Sequence, residues 1–147
     1  MEKPTSYNII VGKQYPDKVI PLIKTAKKSI EIIVFDWRWY PDQIGSNIQI
    51  FNNALVKVAR NGVCCRALTN FNSNFDLLNS LKIEVKKWSS RKTLHTKLII
   101  IDNKVAIIGS HNYTMSAFNI NHELSIIINE IVFVSRLKQY FDNLWQL

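Results

Sequence analysis

Cysteine is scarce: the 147-residue chain has two, and they are adjacent, Cys64 and Cys65. Neighbours in an extended segment point to opposite faces and could bridge each other only under strain, so no disulfide framework is available. A C-x-x-C spacing is also missing, which leaves two small, semi-buried thiols rather than a redox pair or metal site as the expectation. Long apolar runs are missing as well. None approaches the ~20 residues that span a bilayer, and residues 1–6 lack the apolar segment of a secretory signal, so the chain reads as soluble and cytoplasmic. Low-complexity tracts and internal repeats are absent. With 47% hydrophobic and 20% charged residues, the composition is that of an ordinary globular protein of one domain, residues 1–147.

Acidic residues are the other shortage. Eleven Asp and Glu face 19 Lys and Arg, a formal net charge of +8 and a pI near 9.6. Such a balance suits a polyanionic partner, either nucleic acid or an acidic membrane surface. The cations are unevenly spread: from Lys82 to Lys104 only Glu84 and Asp102 oppose a dense series that includes Lys86, Lys87, Arg91 and Lys92.

That basic stretch runs into the most informative segment, residues 94–112. His95 and Lys97, two apart at the head of an apolar run, should project from one side of a strand, placing an imidazole beside a fixed positive charge. Asn103 and Lys104 are expected to turn the chain into a second apolar strand. Gly109, Ser110 and Asn112 then bring small and polar groups to the point where that strand ends and a helix could begin, an arrangement that suits a phosphate.

Around this segment the periodicity alternates between strand and helix. Residues 7–11, closed by Gly12, read as an edge strand. From Asp17 to Ala26 the spacing is that of an amphipathic helix with a solvated lysine face, and Pro21 fits if it lies in the first turn. Residues 29–35 form a central-strand candidate. They end in Asp36, Trp37, Arg38, Trp39 and Tyr40, a segment that could grip a backbone or equally serve as core anchors; Arg38 is a candidate substrate contact. Residues 48–60 read as a second helix closed by Asn61 and Gly62, with residues 63–68 the next strand, parallel to the first through a right-handed crossover. A polar connection at residues 70–74, a short helix ending near Leu81, a brief strand at 83–85, a strand within 121–129 and a final helix from Glu130 to Leu144 complete the order. The expected fold class is α/β: a mixed, largely parallel sheet sandwiched between helices.

The ordered set His95-x-Lys97-x-x-x-x-Asp102, six residues, Gly109-Ser110-x-Asn112, with Asn121 and Glu123 downstream, resembles the phospholipase D superfamily. The resemblance covers the chain from about Val19 onward and implies the same order of elements. It also implies a phosphodiesterase that uses no metal or other cofactor, in which one motif's histidine forms a phosphohistidine and another motif's histidine protonates the leaving group. This chain has one H-x-K motif, since neither His111 nor His122 has a lysine two residues on. Short members of the family homodimerise across a two-fold axis, so an obligate homodimer with a shared site is expected.

From the residues themselves, His95 is the candidate nucleophile, Lys97 supplies charge, and Ser110 and Asn112 can donate to non-bridging oxygens. Glu123 is the expected acceptor for the other ring nitrogen of His95, and by period two Asn121 could look into the same site as a substrate contact, with Lys92 a further one. Asp102 has the opposite strand parity and is expected to support the fold, with Gly109 a structural position. His111 and His122 read as loop or core residues. The local charge favours DNA or RNA as substrate, ahead of a phospholipid entered through Trp37, Trp39 and Tyr40, and ahead of a non-catalytic nucleic-acid-binding module.

Overall fold

A computed structural model describes residues 6–71 and 74–147. The reading of the chain's first residues and the middle of the polar connection at 72–73 lie outside them. The elements in order are β1 (Tyr7–Val11), α1 (Gln14–Lys24), β2 (Ser29–Asp36), α2 (Asn47–Arg60), β3 (Cys64–Phe71), α3 (Phe75–Ser80), β4 (Ile83–Lys87), β5 (Leu98–Ile101), β6 (Val105–Gly109), α4 (Met115–Asn119), β7 (Leu124–Ile128) and α5 (Ile131–Trp145).

The seven strands form one sheet in the order β1-β7-β6-β5-β2-β3-β4. β2 is central and apolar almost throughout, because both its faces are covered. Ile30, Ile32 and Val34 point into the core shared with α1 and α2, while Ile33 points into the core under α5. β5 alternates in the same way, Ile99 and Ile101 to one side, Leu98 and Ile100 to the other. Period two therefore builds two hydrophobic layers from one set of strands.

The mixed sheet between helices agrees with the sequence, but the expectation of a largely parallel sheet is corrected. Parallel pairing is confined to β2-β3-β4, whose connections run through helices. The other four pairings are antiparallel; for β5–β6 this follows from the short turn, which can only reverse the chain. That turn centres on Asp102 and Asn103, both with φ near +54°, one residue earlier than expected. Asp and Asn tolerate this left-handed geometry better than most residues.

α1 begins at Gln14, so Pro16 occupies the first turn and Pro21 falls inside the helix. Pro21 has no N–H to give the carbonyl of Asp17. Both residues are exposed, so water can satisfy that carbonyl, and burial of Tyr15, Val19 and Ile23 offsets a cost of about 3 kcal/mol. α2 is capped by Ser46, whose Oγ accepts from the Gln49 N–H, and ends at Asn61 and a left-handed Gly62. Cys65 is buried and its thiol is pushed up to about 12 by desolvation, while Cys64 is exposed on the other face.

Under α5 lies a charge cluster that periodicity gave no reason to expect. Glu31 is 1% exposed, on the core face of β2, and meets Lys138 at 3.5 Å and Arg66 at 3.8 Å, with Asp142 binding both cations. Desolvation raises the Glu31 pKa, and the two cations only partly counter it.

Candidate functional site

The site forms at one end of the sheet, where β5 and β7 begin and β2 and β6 finish. Residues 94–97 are extended but precede β5 proper, and the Gly109 N–H donates to the Lys97 carbonyl at 3.3 Å. His95 is exposed and Lys97 is 8% exposed, yet both side chains lie on one side as period two requires: Lys97 Nζ is 2.9 Å from Nδ1 of His95 and 3.2 Å from Nε2. Phe35, at the end of β2, backs the pair, with its ring 5.0 Å from the imidazole and 5.7 Å from the ammonium. Burial lowers the Lys97 pKa, and the charge of Glu123 partly restores it.

Thr96 points the other way, its Oγ1 3.0 Å from the Tyr140 hydroxyl on α5. The Asn70 amide donates to the Leu94 carbonyl at 2.5 Å. The segment carrying His95 is thus held from behind by α5 and from the side by β3. Phe35, Asn70 and Tyr140 escaped the sequence reading because each reaches the segment from a distant part of the chain.

Gly109 lets β6 and β7 meet. A Cβ there would overlap the Leu124 carbonyl and Ser125 Oγ. The requirement is space rather than φ. Just beyond it, Ser110 Oγ accepts from the Leu124 N–H at 3.0 Å and donates to Glu123 Oε1 at 3.4 Å. Asn112 Oδ1 accepts from the Asp36 N–H at 3.1 Å, which leaves its amide group as a donor. Asp36 also takes Arg38 Nε at 2.6 Å, so Arg38, Asp36 and Asn112 form a chain of contacts along the edge of the site.

Other expected placements differ in detail. Glu123 bonds Ser110 rather than an imidazole nitrogen of His95; its charge acts on Lys97. Asn121 is exposed and lies before β7, its N–H held by the Ser116 carbonyl at 2.8 Å, so strand alternation does not aim it. The chain does not enter a helix at Asn112 either: Thr114 caps the five-residue α4 that starts at Met115. Lys92 is exposed in the basic loop, where its carbonyl accepts from the Trp88 indole at 2.7 Å.

Trp37 is wholly buried, donates to Asn52 at 2.8 Å and packs edge-on against Tyr113. Trp39 and Tyr40 are half-buried against the same core. Trp37 is thus a core anchor, while Trp39 and Tyr40 also line a shallow surface cavity with Asp36, Arg38, Thr114 and Ser116. His111 is buried too. Its Nε2 donates to the Gly12 carbonyl at 2.9 Å, which makes Nδ1 the acceptor for the Ser125 hydroxyl at 2.7 Å. Desolvation lowers its pKa, the Gly12 bond and Glu123 countering in part. His122 is exposed.

Asp102 supports the fold, as expected, but what removes it from the site is its place in the turn at the far end of β5 and not its parity. Its carboxylate accepts from the backbone N–H of Lys27, Lys28 and Ser29 at 2.7 to 3.2 Å. Burial pushes its pKa up, and those three donors together with Lys104 more than reverse the shift, so it ends below the usual carboxylate value.

The geometry places at one sheet end an exposed imidazole, a buried lysine, a hydroxyl and an amide group with no partner among the described residues. Comparison with known proteins bears on the family and the fold. Residues 19–145 match the family described as cardiolipin synthase, phospholipase D-like domain. The mitochondrial cardiolipin hydrolase of Mus musculus is 26% identical over 129 residues, 88% of this chain and 57% of that protein; the chain thus spans somewhat more than half the length of this curated relative. Among solved structures, NucT from Helicobacter pylori superposes with a TM-score of 0.80 at 16% identity, covering 97% of each chain. Nuc from Salmonella typhimurium, a phospholipase D family member, gives 0.78 at 22% identity, covering 96% of this chain and 95% of that one. At those identities the likeness is one of fold. With the family match across nearly its whole length, the chain belongs to the phospholipase D-like family, whose members are phosphodiesterases.

Proposed function

We propose that the chain is a metal-independent phosphodiesterase that cleaves DNA or RNA through a phosphohistidine at His95, in a site completed by a second copy of itself. The observation that carries this reading is the exposed imidazole of His95 held 2.9 Å from a buried Lys97, with Ser110 and Asn112 beside it. A phosphodiester resists attack because its anionic oxygens repel nucleophiles. Lys97 offsets that charge, and the Asn112 amide and Ser110 hydroxyl can hold the non-bridging oxygens.

In the first step a ring nitrogen of His95 bonds to phosphorus as the bond to the leaving oxygen breaks, and the partner's His95 gives that oxygen its proton. Water then attacks phosphorus, its proton goes to the partner's His95, and the P–N bond breaks to restore the starting state. Two histidines are needed and one chain offers a single exposed H-x-K motif. His111 cannot serve, because both its nitrogens are engaged in the core.

A second copy has a place to sit. Tyr7, Ile9 and Val11 on edge strand β1 and Leu124 on β7 are more than half exposed. Val11 and Leu124 are direct cross-strand partners, and Leu124 adjoins Glu123 at the site. A nucleic-acid substrate is supported by the exposed Lys86, Lys87, Arg91 and Lys92 in the segment leading to His95. The lipid reading draws on the name of the cardiolipin hydrolase relative, but of the three aromatic residues it needs, Trp37 is buried and Trp39 and Tyr40 are only partly exposed.

The test is cleavage of labelled single- and double-stranded DNA and RNA in excess EDTA, by the wild type and by His95→Ala. EDTA-resistant cutting that vanishes in the variant is expected. Turnover of cardiolipin vesicles with no cutting of any polynucleotide would replace the substrate class, and EDTA-sensitive cutting would remove the mechanism.

A further inference from the structure

The end of the sheet opposite His95 carries a second cationic surface that the linear sequence does not reveal. Four connections meet there: α1 to β2, α2 to β3, α3 to β4, and the β5–β6 turn. They contribute Lys24, Lys27 and Lys28; Arg60; Lys82; and Lys104, all exposed. The connections abut one another. Asp102 in the β5–β6 turn binds the backbone of Lys27, Lys28 and Ser29. The Cys64 N–H, at the start of β3, donates to the Lys28 carbonyl at 3.0 Å, and Cys65 pairs with Ile83, which follows Lys82.

Lys24 and Arg60 close α1 and α2; counted on the same terms the acids are Asp102, whose carboxylate is engaged by backbone N–H groups, and the exposed Glu84 two residues beyond Lys82. Among the described residues none of the six cations is in an ion pair. Lys104 faces the charge of Asp102, and the remaining like charges repel one another, so the fold bears a cost here that an external polyanion would relieve.

We propose that this pole is a docking surface for the phosphate backbone of double-stranded nucleic acid, separate from the cutting site. The strands it terminates, β6-β5-β2-β3-β4, are five neighbours spaced ~4.8 Å apart, so the pole is about 19 Å wide. That width matches about six base pairs of duplex, a stretch carrying on the order of a dozen phosphates. None of the large exposed hydrophobic side chains lies in these four connections. A membrane-docking surface usually adds an apolar wedge to its basic residues, and this one has no large exposed hydrophobic side chain, which favours a backbone of phosphates over a lipid surface. The inference concerns binding alone and holds whether or not the opposite pole cuts nucleic acid.

Two measurements test it. First, binding of a 30-base-pair duplex (about 30, long enough to cover the pole) is titrated against salt for the wild type and for K27Q/K28Q/K104Q. The slope of log affinity against log salt should become less steep by about 2.7, the ~0.9 per phosphate contact expected for three lost contacts. Second, lysine acetylation of the wild-type protein is mapped by mass spectrometry with and without the duplex, a measurement that does not depend on the variant folding. Lys27, Lys28 and Lys104 should be protected. An unchanged slope in a folded variant, or equal acetylation with and without duplex, overturns the proposal. So does protection of these lysines by phosphatidylserine vesicles but not by duplex, which would make the pole a lipid-facing surface. A protein that shows the expected footprint yet cuts no substrate keeps this pole and loses only the nuclease reading.

Discussion

The ammonium of Lys97 lies within 3.2 Å of both ring nitrogens of His95, so it spans the edge of the imidazole between them, on a residue that is 8% exposed. A cation kept from water at that point is held for its charge and not for its contribution to folding, since desolvation lowers its pKa. Lys97→Met should therefore keep or raise the melting temperature while reducing turnover by about 10²- to 10³-fold, the loss typical for one charge-stabilising donor. Thermal melts paired with cleavage assays check this. A large drop in melting temperature would show instead that the ammonium is structural.

Gly109 makes the opposite case. Its Cβ position is filled by the Leu124 carbonyl and Ser125 Oγ, both belonging to β7, which cannot give way without breaking its pairing with β6. Gly109→Ala should destabilise the protein by about 3 kcal/mol, the scale of overpacking against a rigid neighbour. Because Ser110 follows it directly, the folded fraction should also lose activity. Denaturant unfolding and specific activity per folded molecule separate the two effects.

How much of this was legible in the sequence depends on the range of the signal. The His95 and Lys97 pairing and the helical stripes were readable because they rest on local periodicity. The direction of most strand pairings was not. Two apolar runs joined by a three-residue turn must be antiparallel, but nothing local says that β5 also lies antiparallel to β2 or that β1 returns to pair with β7. The second sheet-end charge surface was equally hidden, because Lys28, Arg60, Lys82 and Lys104 are far apart in the chain and meet only through the sheet order. Glu31 read as one polar residue in an apolar strand, and its partners Arg66 and Lys138 come from β3 and α5. Glu123 shows the limit within the site: alternation suggested a direct bond to His95, yet the residues before Leu124 leave the strand, and the carboxylate meets Ser110 instead.

Asp102 should give the stability curve an acid limb. Its folded pKa lies below the ordinary value, so its stabilisation is complete above the unfolded value near ~3.9 and is lost as the pH falls through the folded value. Asp102→Ala should cost about 2 kcal/mol at neutral pH, the worth of hydrogen bonds to a charged acceptor. The gap between variant and wild type should begin to narrow below about pH 4 and close only below the lower folded value. Urea unfolding across that range reads it directly, and a gap independent of pH would assign the cost to the left-handed backbone at this turn.

His111 predicts a second, separate limb. Burial holds its folded pKa below the ordinary histidine value. From about pH 6.5 downward the unfolded chain takes up a proton that the folded one refuses, and stability falls until the folded group titrates as well. His111→Phe would abolish that limb and leave the Ser125 hydroxyl and Gly12 carbonyl without this partner, at a cost of about 2 to 4 kcal/mol at neutral pH. Cleavage by the folded fraction should persist, which distinguishes this histidine from His95. Loss of cleavage without loss of stability would reverse the assignment.

The apolar edge of the sheet sets the last expectation. Leu124 is 55% exposed, stands opposite Val11 and follows Glu123 in the chain, so a second copy seated there would bring its own His95 to the same sheet end. Leu124→Asp places a charge in the middle of that contact, and burying it unpaired would cost several kcal/mol. The variant should sediment as a monomer, melt cooperatively and cut nothing, even though every residue from His95 to Glu123 is intact. A monomer with full activity would show that one chain suffices and that the second proton donor lies within it. A dimer that persists with full activity would move the contact elsewhere on the surface. Titrating His95→Ala into the wild type gives an independent reading: in a shared site every mixed dimer is inactive, so activity should fall as the square of the wild-type fraction and not in proportion to it.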